Sequence, residues 1–144
     1  MISIKKITKI DEVTINFILN LRNKSYVRKN SLINKKIDIS SHREWVRKFF
    51  LVKNRLNIIK KKKILIGYVR LELNKNKYNT SWAILKEFSG KGYAKKALNY
   101  ATKYKKLKYK AIIKKDNLAS INVATSTKFV VKKKIKNSFY LYKN

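Results

Sequence analysis

The chain has 144 residues, with 38 Lys and Arg against seven Asp and Glu, a formal net charge of +31 and 44% hydrophobic residues. That length and apolar content provide for one packed core, so a single domain spanning 1–144 is expected. The absence of cysteine excludes disulfides, thiolate metal sites and cysteine nucleophiles, and no metal is expected.

Residues 2–8 alternate weakly, with Ile2, Ile4 and Ile7 apolar, as a first strand would. The stretch from Glu12 to Leu19 then places Ile15, Ile18 and Leu19 on one helical face. A second helix is expected from Ser40-Ser41-His42-Arg43-Glu44, where a capping Ser with an acidic residue three places on satisfies orphan amides; it runs through Trp45, Val46, Phe49 and Phe50. Leu56–Ile59 and Ile64–Leu73 read as a hairpin with the basic tip Lys60–Lys63, and a reversal at Asn74–Lys77 leads to a strand over Thr80–Leu85. From Gly92, Tyr93, Ala94, Ala97, Leu98, Ala101 and Tyr104 recur at helical steps over about 13 residues. A short strand at Ala111–Ile113, a helix over Ala119–Thr127 and a last strand at Phe139–Tyr142 complete the order βα, α, βββ, α, β, α, β. The longest apolar stretch, Ile64–Val69, is far short of the roughly 20 residues of a membrane span. Met1–Lys6 lacks the apolar core that follows the start of a secretory signal, and a soluble, cytoplasmic protein is expected.

Only three glycines occur, at positions 67, 90 and 92, and two of them fall in Lys86-Glu87-Phe88-Ser89-Gly90-Lys91-Gly92-Tyr93-Ala94, between a strand and a helix. Glycine lets successive amides turn toward one point, and the following helix adds its unpaired N–H groups and positive dipole end. Such a loop is built to grip a phosphate, with Lys91 and Lys95 adding charge and Ala94 leaving room for a pyrophosphate. A plain strand-to-helix turn is the competing reading of the same residues.

Here the sequence resembles the GNAT acetyltransferases, which place Arg/Gln-x-x-Gly-x-Gly/Ala after their fourth strand. Ser89 to Ala94 matches with Gly92 and Ala94 in the last two fixed positions, while Ser89 stands where Arg or Gln is usual. Asp116-Asn117-Leu118-Ala119-Ser120-Ile121, followed by Phe129, resembles the family's Asn-x-x-Ser-Ile segment and closing aromatic. The resemblance implies the mixed α/β GNAT fold, a central, mostly antiparallel twisted sheet flanked by helices. It also implies acetyl-CoA as acetyl donor. Ser89, Gly90, Lys91, Gly92, Tyr93 and Ala94 would hold its pyrophosphate, and Asn117 and Ser120 its pantetheine arm or adenosine end. A strand-end turn at Asn117 and a helix cap at Ser120 are the alternatives.

Upstream, Leu21-Arg22-Asn23, Val27-Arg28, Ser31, His42, Trp45 and Trp82 resemble bacterial enzymes that acetylate nucleotide-linked 4-amino sugars on the way to pseudaminic acid and related surface glycans. That likeness implies that Arg22, Asn23 and His42 hold a nucleotide-sugar. In the GNAT family the fourth strand splays from the fifth at a bulge, so that amides near Ile84 and Leu85 would bond the pantetheine amide and the thioester oxygen.

Glu72, in the alternating Arg70-Leu71-Glu72-Leu73, is the candidate base, with an ion pair as the competing role; His42, the only histidine, could also serve as a base. The family's usual acid, a Tyr four residues after the Ser, is Ala124 here, and Lys128 replaces the Gly before the closing Phe. Either the thiolate leaves without a dedicated acid, or another Tyr such as Tyr93 supplies the proton, or the chain is a degenerate homologue that transfers poorly.

Two other activities stay open, a protein or polyamine N-acetyltransferase and a basic nucleic-acid-binding protein with a degenerate GNAT fold. Nucleic acid is the less expected partner: lysine is dispersed, Arg is scarce and Pro absent, which reads as compositional drift. No aromatic residues interleave with the basic runs Lys60–Lys63 and Lys132–Lys134, which are expected at a loop or a strand end. Dimerisation, common in the family, is implied by resemblance only.

Overall fold

The computed structural model describes all residues 1–144. The elements are β1 (Ile2–Ile7), α1 (Glu12–Arg22), α2 (Ser25–Lys29), α3 (Ile39–Phe49), β2 (Arg55–Lys61), β3 (Ile64–Asn74), β4 (Lys77–Ile84), α4 (Tyr93–Ala101), β5 (Tyr109–Lys114), α5 (Leu118–Ser126), β6 (Val130–Ile135) and β7 (Ser138–Lys143), with a single 3-10 turn at Lys86–Phe88. The strands form one sheet in the order β1-β2-β3-β4-β5-β7-β6. Every neighbouring pair is antiparallel except β4 and β5. This is the mixed α/β architecture that the sequence implies.

The sheet separates two cores because side chains alternate between its faces. Ile59, Val69, Leu71, Ala111, Ile113 and Leu141 pack with Ala97, Leu98, Ala101 and Ala124 of α4 and α5. On the opposite face, Leu56, Ile58, Tyr68 and Ala83 pack with Ile18, Leu21 and Phe49 of α1 and α3. Gly67 lies where β3 and β4 approach most closely, since a Cβ there would stand 2.6 Å from the Ala83 carbonyl oxygen.

Several expectations are corrected. The cap of α3 is Asp38, whose carboxylate accepts from the Ser41 amide at 2.7 Å, and Glu44 instead pairs with Arg47 at 2.8 Å. A carboxylate acceptor at the cap position outranks the downstream serines, and the hydrogen bonds from Ser41 hold the Asp38 carboxyl below its usual range. Helix α4 ends at Ala101, with the Thr102 hydroxyl bonded to the Leu98 carbonyl, so Tyr104 lies outside it. Two elements were not expected, α2 and β6. α2 buries no residue, and β6 is exposed along its whole length, so neither carries the apolar periodicity by which an element is recognised. The run Lys132–Lys134 thus lies within an edge strand, where lysines discourage pairing with a further strand.

Scarcity of glycine leaves its mark on the turns. Lys62, Lys75 and Lys136, at the β2–β3, β3–β4 and β6–β7 reversals, all have positive φ, and so does Lys128 after α5 at φ 73°. Lys128 therefore adopts the backbone for which the usual glycine is suited.

Candidate active site

The site begins with the way β4 leaves β5. Only Tyr78 with Tyr109 and Asn79 with Lys110 are paired; beyond them the two strands diverge. The β3–β4 register runs without interruption from Asn74/Lys77 to Gly67/Ile84, so the splay comes from the parting of β4 and β5 and not from the bulge expected in the fourth strand.

The Leu85 amide donates to the Ile66 carbonyl at 2.8 Å, toward β3. Strand alternation then points the amides of Trp82 and Ile84 the other way, into the gap. The Ile84 amide thus faces the gap, the Leu85 amide is spent within the sheet, and the Trp82 amide is the other one turned to the gap. Alternation in an antiparallel ladder is legible only once the pairing register is known.

The gap opens a cavity of about 990 Å³ that runs from the α2–α3 loop across the sheet to α4 and α5. At one end lie Ser89, Gly90, Gly92, Tyr93, Ala94 and Lys95, whereas Lys91 is exposed and does not line it. Gly90 and Gly92 have φ of 72° and 80°, and a Cβ on either would meet nothing within 4 Å. Helices α1, α3 and α5 are capped by Asp11, Asp38 and Asn117, but α4 starts at left-handed Gly92 with no side chain on its first-turn amides. These amides, the positive helix end and the open ground before them form a cradle that fits a pyrophosphate. The Ser89 hydroxyl is turned back to the Lys86 carbonyl at 2.6 Å, so it stabilises the loop rather than reaching across it.

Asn117 and Ser120 both line the cavity, and the Asn117 side-chain oxygen accepts from the Ser120 amide at 3.2 Å. The capping alternative is thus realised by Asn117 and not by Ser120. Ala124 is fully buried in the core, and Val123 is the residue that α5 turns to the cavity at that level.

Of the six arginines in the chain, Arg22, Arg28 and Arg70 line the cavity. The Arg22 guanidinium lies 4.7 Å from the Trp45 ring centroid, and that of Arg70 at 5.3 Å. Burial, reinforced by the neighbouring Arg70 charge, lowers Arg22 to about 10, still cationic at neutral pH. Arg70 Nε donates to the Ser81 hydroxyl at 2.5 Å and stands 3.4 Å from Glu72 Oε1. Glu72 is the only carboxylate on the cavity wall, and the ion pair weighed against a catalytic role is present.

Two residues expected to touch an acceptor are placed elsewhere. Asn23 donates to and accepts from the Ile37 backbone, both at 2.8 Å, and so clamps the α2–α3 loop. His42 is fully buried, stacked on Trp45, with Nε2 3.0 Å from the Ile15 carbonyl and Nδ1 3.4 Å from an Arg22 nitrogen. Nε2–H donates to that carbonyl and Nδ1 is left to accept from Arg22, so the ring buttresses Arg22 from behind. Burial is the chief cause that lowers the His42 pKa, with the Arg22 charge adding to it.

Tyr26 carries no signature in the sequence. Its hydroxyl donates to the Ile84 carbonyl at 2.8 Å, at the mouth of the gap, and burial pushes its pKa up. It stands between Leu21-Arg22-Asn23 and Val27-Arg28 in no pattern of its own, and its reach across 58 residues belongs to the fold.

A strand-built sheet split at β4/β5, with a glycine cradle on the next helix, defines an acyl-carrier-dependent transferase. The sequence profile of the acetyltransferase (GNAT) domain matches residues 6–130, and the chain belongs to that family. No curated protein matches it. Among solved structures it is similar to spermidine N-acetyltransferase from Vibrio cholerae, in complex with CoA and spermine, with TM-score 0.83, 20% identity, and 98% of this chain and 94% of that chain covered. It is also similar to the Campylobacter jejuni N-acetyltransferase PseH in complex with acetyl coenzyme A, with TM-score 0.73, 17% identity and 99% and 97% covered. The third is yncA, a putative acetyltransferase from Salmonella typhimurium with its cofactor acetyl-CoA, with TM-score 0.82, 16% identity and 99% and 92% covered. No helix is long and apolar enough to cross a membrane.

Gly92→Val should remove the rise in melting temperature that acetyl-CoA gives the wild-type protein, because valine disfavours the left-handed backbone at φ 80° and would project into the cradle. An undiminished shift would place the pyrophosphate elsewhere. His42 makes a second prediction. Its folded pKa lies below the unfolded value, so the unfolded chain binds its proton more readily, and the stability from neutral His42 is present above about pH 6.5 and lost as pH falls from there toward the folded pKa. Urea denaturation from pH 7.5 to 5 should show this loss in the wild type and a flatter profile in His42→Gln.

Proposed function

We propose that the chain transfers the acetyl group of acetyl-CoA to the primary amine of an anionic acceptor, and that this acceptor is a nucleotide-linked amino sugar carrying a 4-amino group. The observation that carries the acceptor class is the charge of the cavity wall. Arg22, Arg28, Arg70 and Lys35 line the side away from the α4 cradle, and the single carboxylate, Glu72, is already beside Arg70. In a chain whose basic residue is overwhelmingly lysine, half the arginines gather here, which compositional drift does not explain.

A guanidinium fork matches phosphate or carboxylate oxygens, and an ammonium about 4 Å from an uncompensated one would be repelled by about 4 kcal/mol at an effective dielectric of 20. A polyamine, cationic along its length, therefore suits this wall poorly.

In the assigned roles, the amides of Trp82 and Ile84 hold the donor arm and polarise the thioester carbonyl, while the α4 cradle fixes the pyrophosphate. Glu72 takes the proton of the acceptor amine directly or through a water. The neutral nitrogen attacks the thioester carbon, the C–N bond forms as the C–S bond breaks, and the thiolate takes a proton. Tyr93 and Tyr26 both line the cavity, and the Tyr26 hydroxyl is the one bonded to Ile84 beside the gap.

Thiol release from acetyl-CoA should show kcat/KM for a UDP-linked 4-amino sugar at least 10-fold above that for spermidine; the reverse ranking would move the chain to the polyamine enzymes. Glu72→Gln should lower kcat by about 10²-fold or more, the range of a lost general base. Tyr26→Phe and Tyr93→Phe, compared on kcat, identify which hydroxyl serves the thiolate.

A further inference from the structure

On the face of the sheet that carries Arg70 and Glu72, helices α1 and α3 cover the β2 to β4 side, α2 reaches the end of β5 where Lys114 donates to the Lys29 carbonyl at 2.9 Å, and β7, β6 and the Lys110 end of β5 carry no helix; α5 lies against the opposite face, beneath Ala111 and Leu141. The bare part is aromatic and basic. Tyr140 and Tyr142 of β7 are half-buried, with Lys110 Nζ 5.0 Å from the Tyr140 centroid and 6.0 Å from that of Tyr142, Lys77 Nζ 5.2 Å from Tyr142 and Lys133 Nζ 5.4 Å from Tyr140. These lysines come from β4, β5 and β6, which is why no aromatic and basic residues alternate in the sequence itself.

The patch is continuous with the cavity. Glu72 is in register with Asn79, Asn79 with Lys110, and Lys110 with Tyr142, one row across four strands, and the first three of these residues line the cavity. At the usual spacing of neighbouring strands the row spans about 14 Å, a distance that a hexose and a diphosphate bridge.

We infer that the Tyr140 and Tyr142 rings form the base-stacking platform for the nucleoside end of the acceptor, with its diphosphate between Lys110 and Lys77 on one side and the arginine wall on the other, and the reacting amine at Glu72. The inference rests on the nucleotide-linked reading of the acceptor and extends it to a named subsite. An aromatic ring ringed by ammonium groups suits a planar base joined to phosphate, and stacking of a base on an aromatic outweighs an exposed ammonium–ring contact, so the lysines can leave the rings for the phosphates. The rows of charge and ring also agree in direction, running from the reacting centre to the open edge of the sheet.

The test is competitive inhibition of the wild-type enzyme by UDP, GDP, CDP and ADP at saturating acetyl-CoA, which occupies the α4 cradle, with inorganic pyrophosphate as the probe that lacks a base. At least one nucleoside diphosphate should bind and compete with the amine acceptor. Tyr140→Leu/Tyr142→Leu should weaken that binding by about 10-fold while leaving pyrophosphate and acetyl-CoA within twofold, and Tyr140→Phe/Tyr142→Phe should retain it because stacking needs no hydroxyl. A 5-azido derivative of UDP should label the 138–144 peptide of the wild type, a readout that does not depend on a variant folding. Nucleoside diphosphates that bind the wild type but neither weaken in the leucine variant nor label β7 overturn the platform alone. No competition by any of the four sinks the nucleotide-linked acceptor itself. Tighter binding of poly(U) than of any nucleoside diphosphate, lost with the same tyrosines and indifferent to acetyl-CoA, would assign the face to single-stranded nucleic acid and overturn the inference.

Discussion

The structure turns on the short parallel contact between β4 and β5. Two residue pairs hold the halves of the sheet together, and past them the strands part, so that backbone amides which a continuous sheet would consume are left facing a gap. The groups that line the cavity are arranged along that opening: Trp82 and Ile84 within it, the start of α4 on one side and the arginines on the other. A parallel pair needs a crossover, and the crossover here is α4, which is how the cradle comes to stand at the carboxyl end of β4.

The splay is maintained by packing on both faces. Ala97, Leu98 and Ala101 seat α4 against the sheet, and the small residues allow the helix to lie close enough for Gly92 to reach the gap. On the other face His42 stacks on Trp45, Phe49 packs tilted against it, and the Arg22 guanidinium lies over the Trp45 ring. Holding a guanidinium largely buried costs desolvation, and the aromatic face together with a neutral histidine acceptor offsets it without a carboxylate. A carboxylate in that place would neutralise the wall; its absence keeps the cavity cationic.

Charge in this chain has two different meanings. Most lysines sit on exposed turns and edges, including four in left-handed backbone where glycine would be easier, and they report composition more than function. The arginines and a few lysines that the fold gathers on one sheet face are different, because they converge on one cavity and on the aromatic patch beside it.

The sequence by itself determined the strand and helix order around the loop, the position of Gly90 and Gly92 between β4 and α4, and the family, because glycine placement and helical spacing are local properties of the chain. It also put Arg70 and Glu72 on one face, since alternation along a strand is local too. Its misplacements are of another kind. His42 and Asn23 have the chemistry of ligand-binding groups, yet burial and the Ile15 and Ile37 backbones claim them. The Leu85 amide is taken by a register that only strand pairing sets, and the surroundings of Tyr26 and of the Tyr140–Tyr142 patch come from partners 58 residues away or on three other strands. Which hydrogen-bonding groups are already spent, and which charges meet, depends on long-range contacts, and only the tertiary structure decided them.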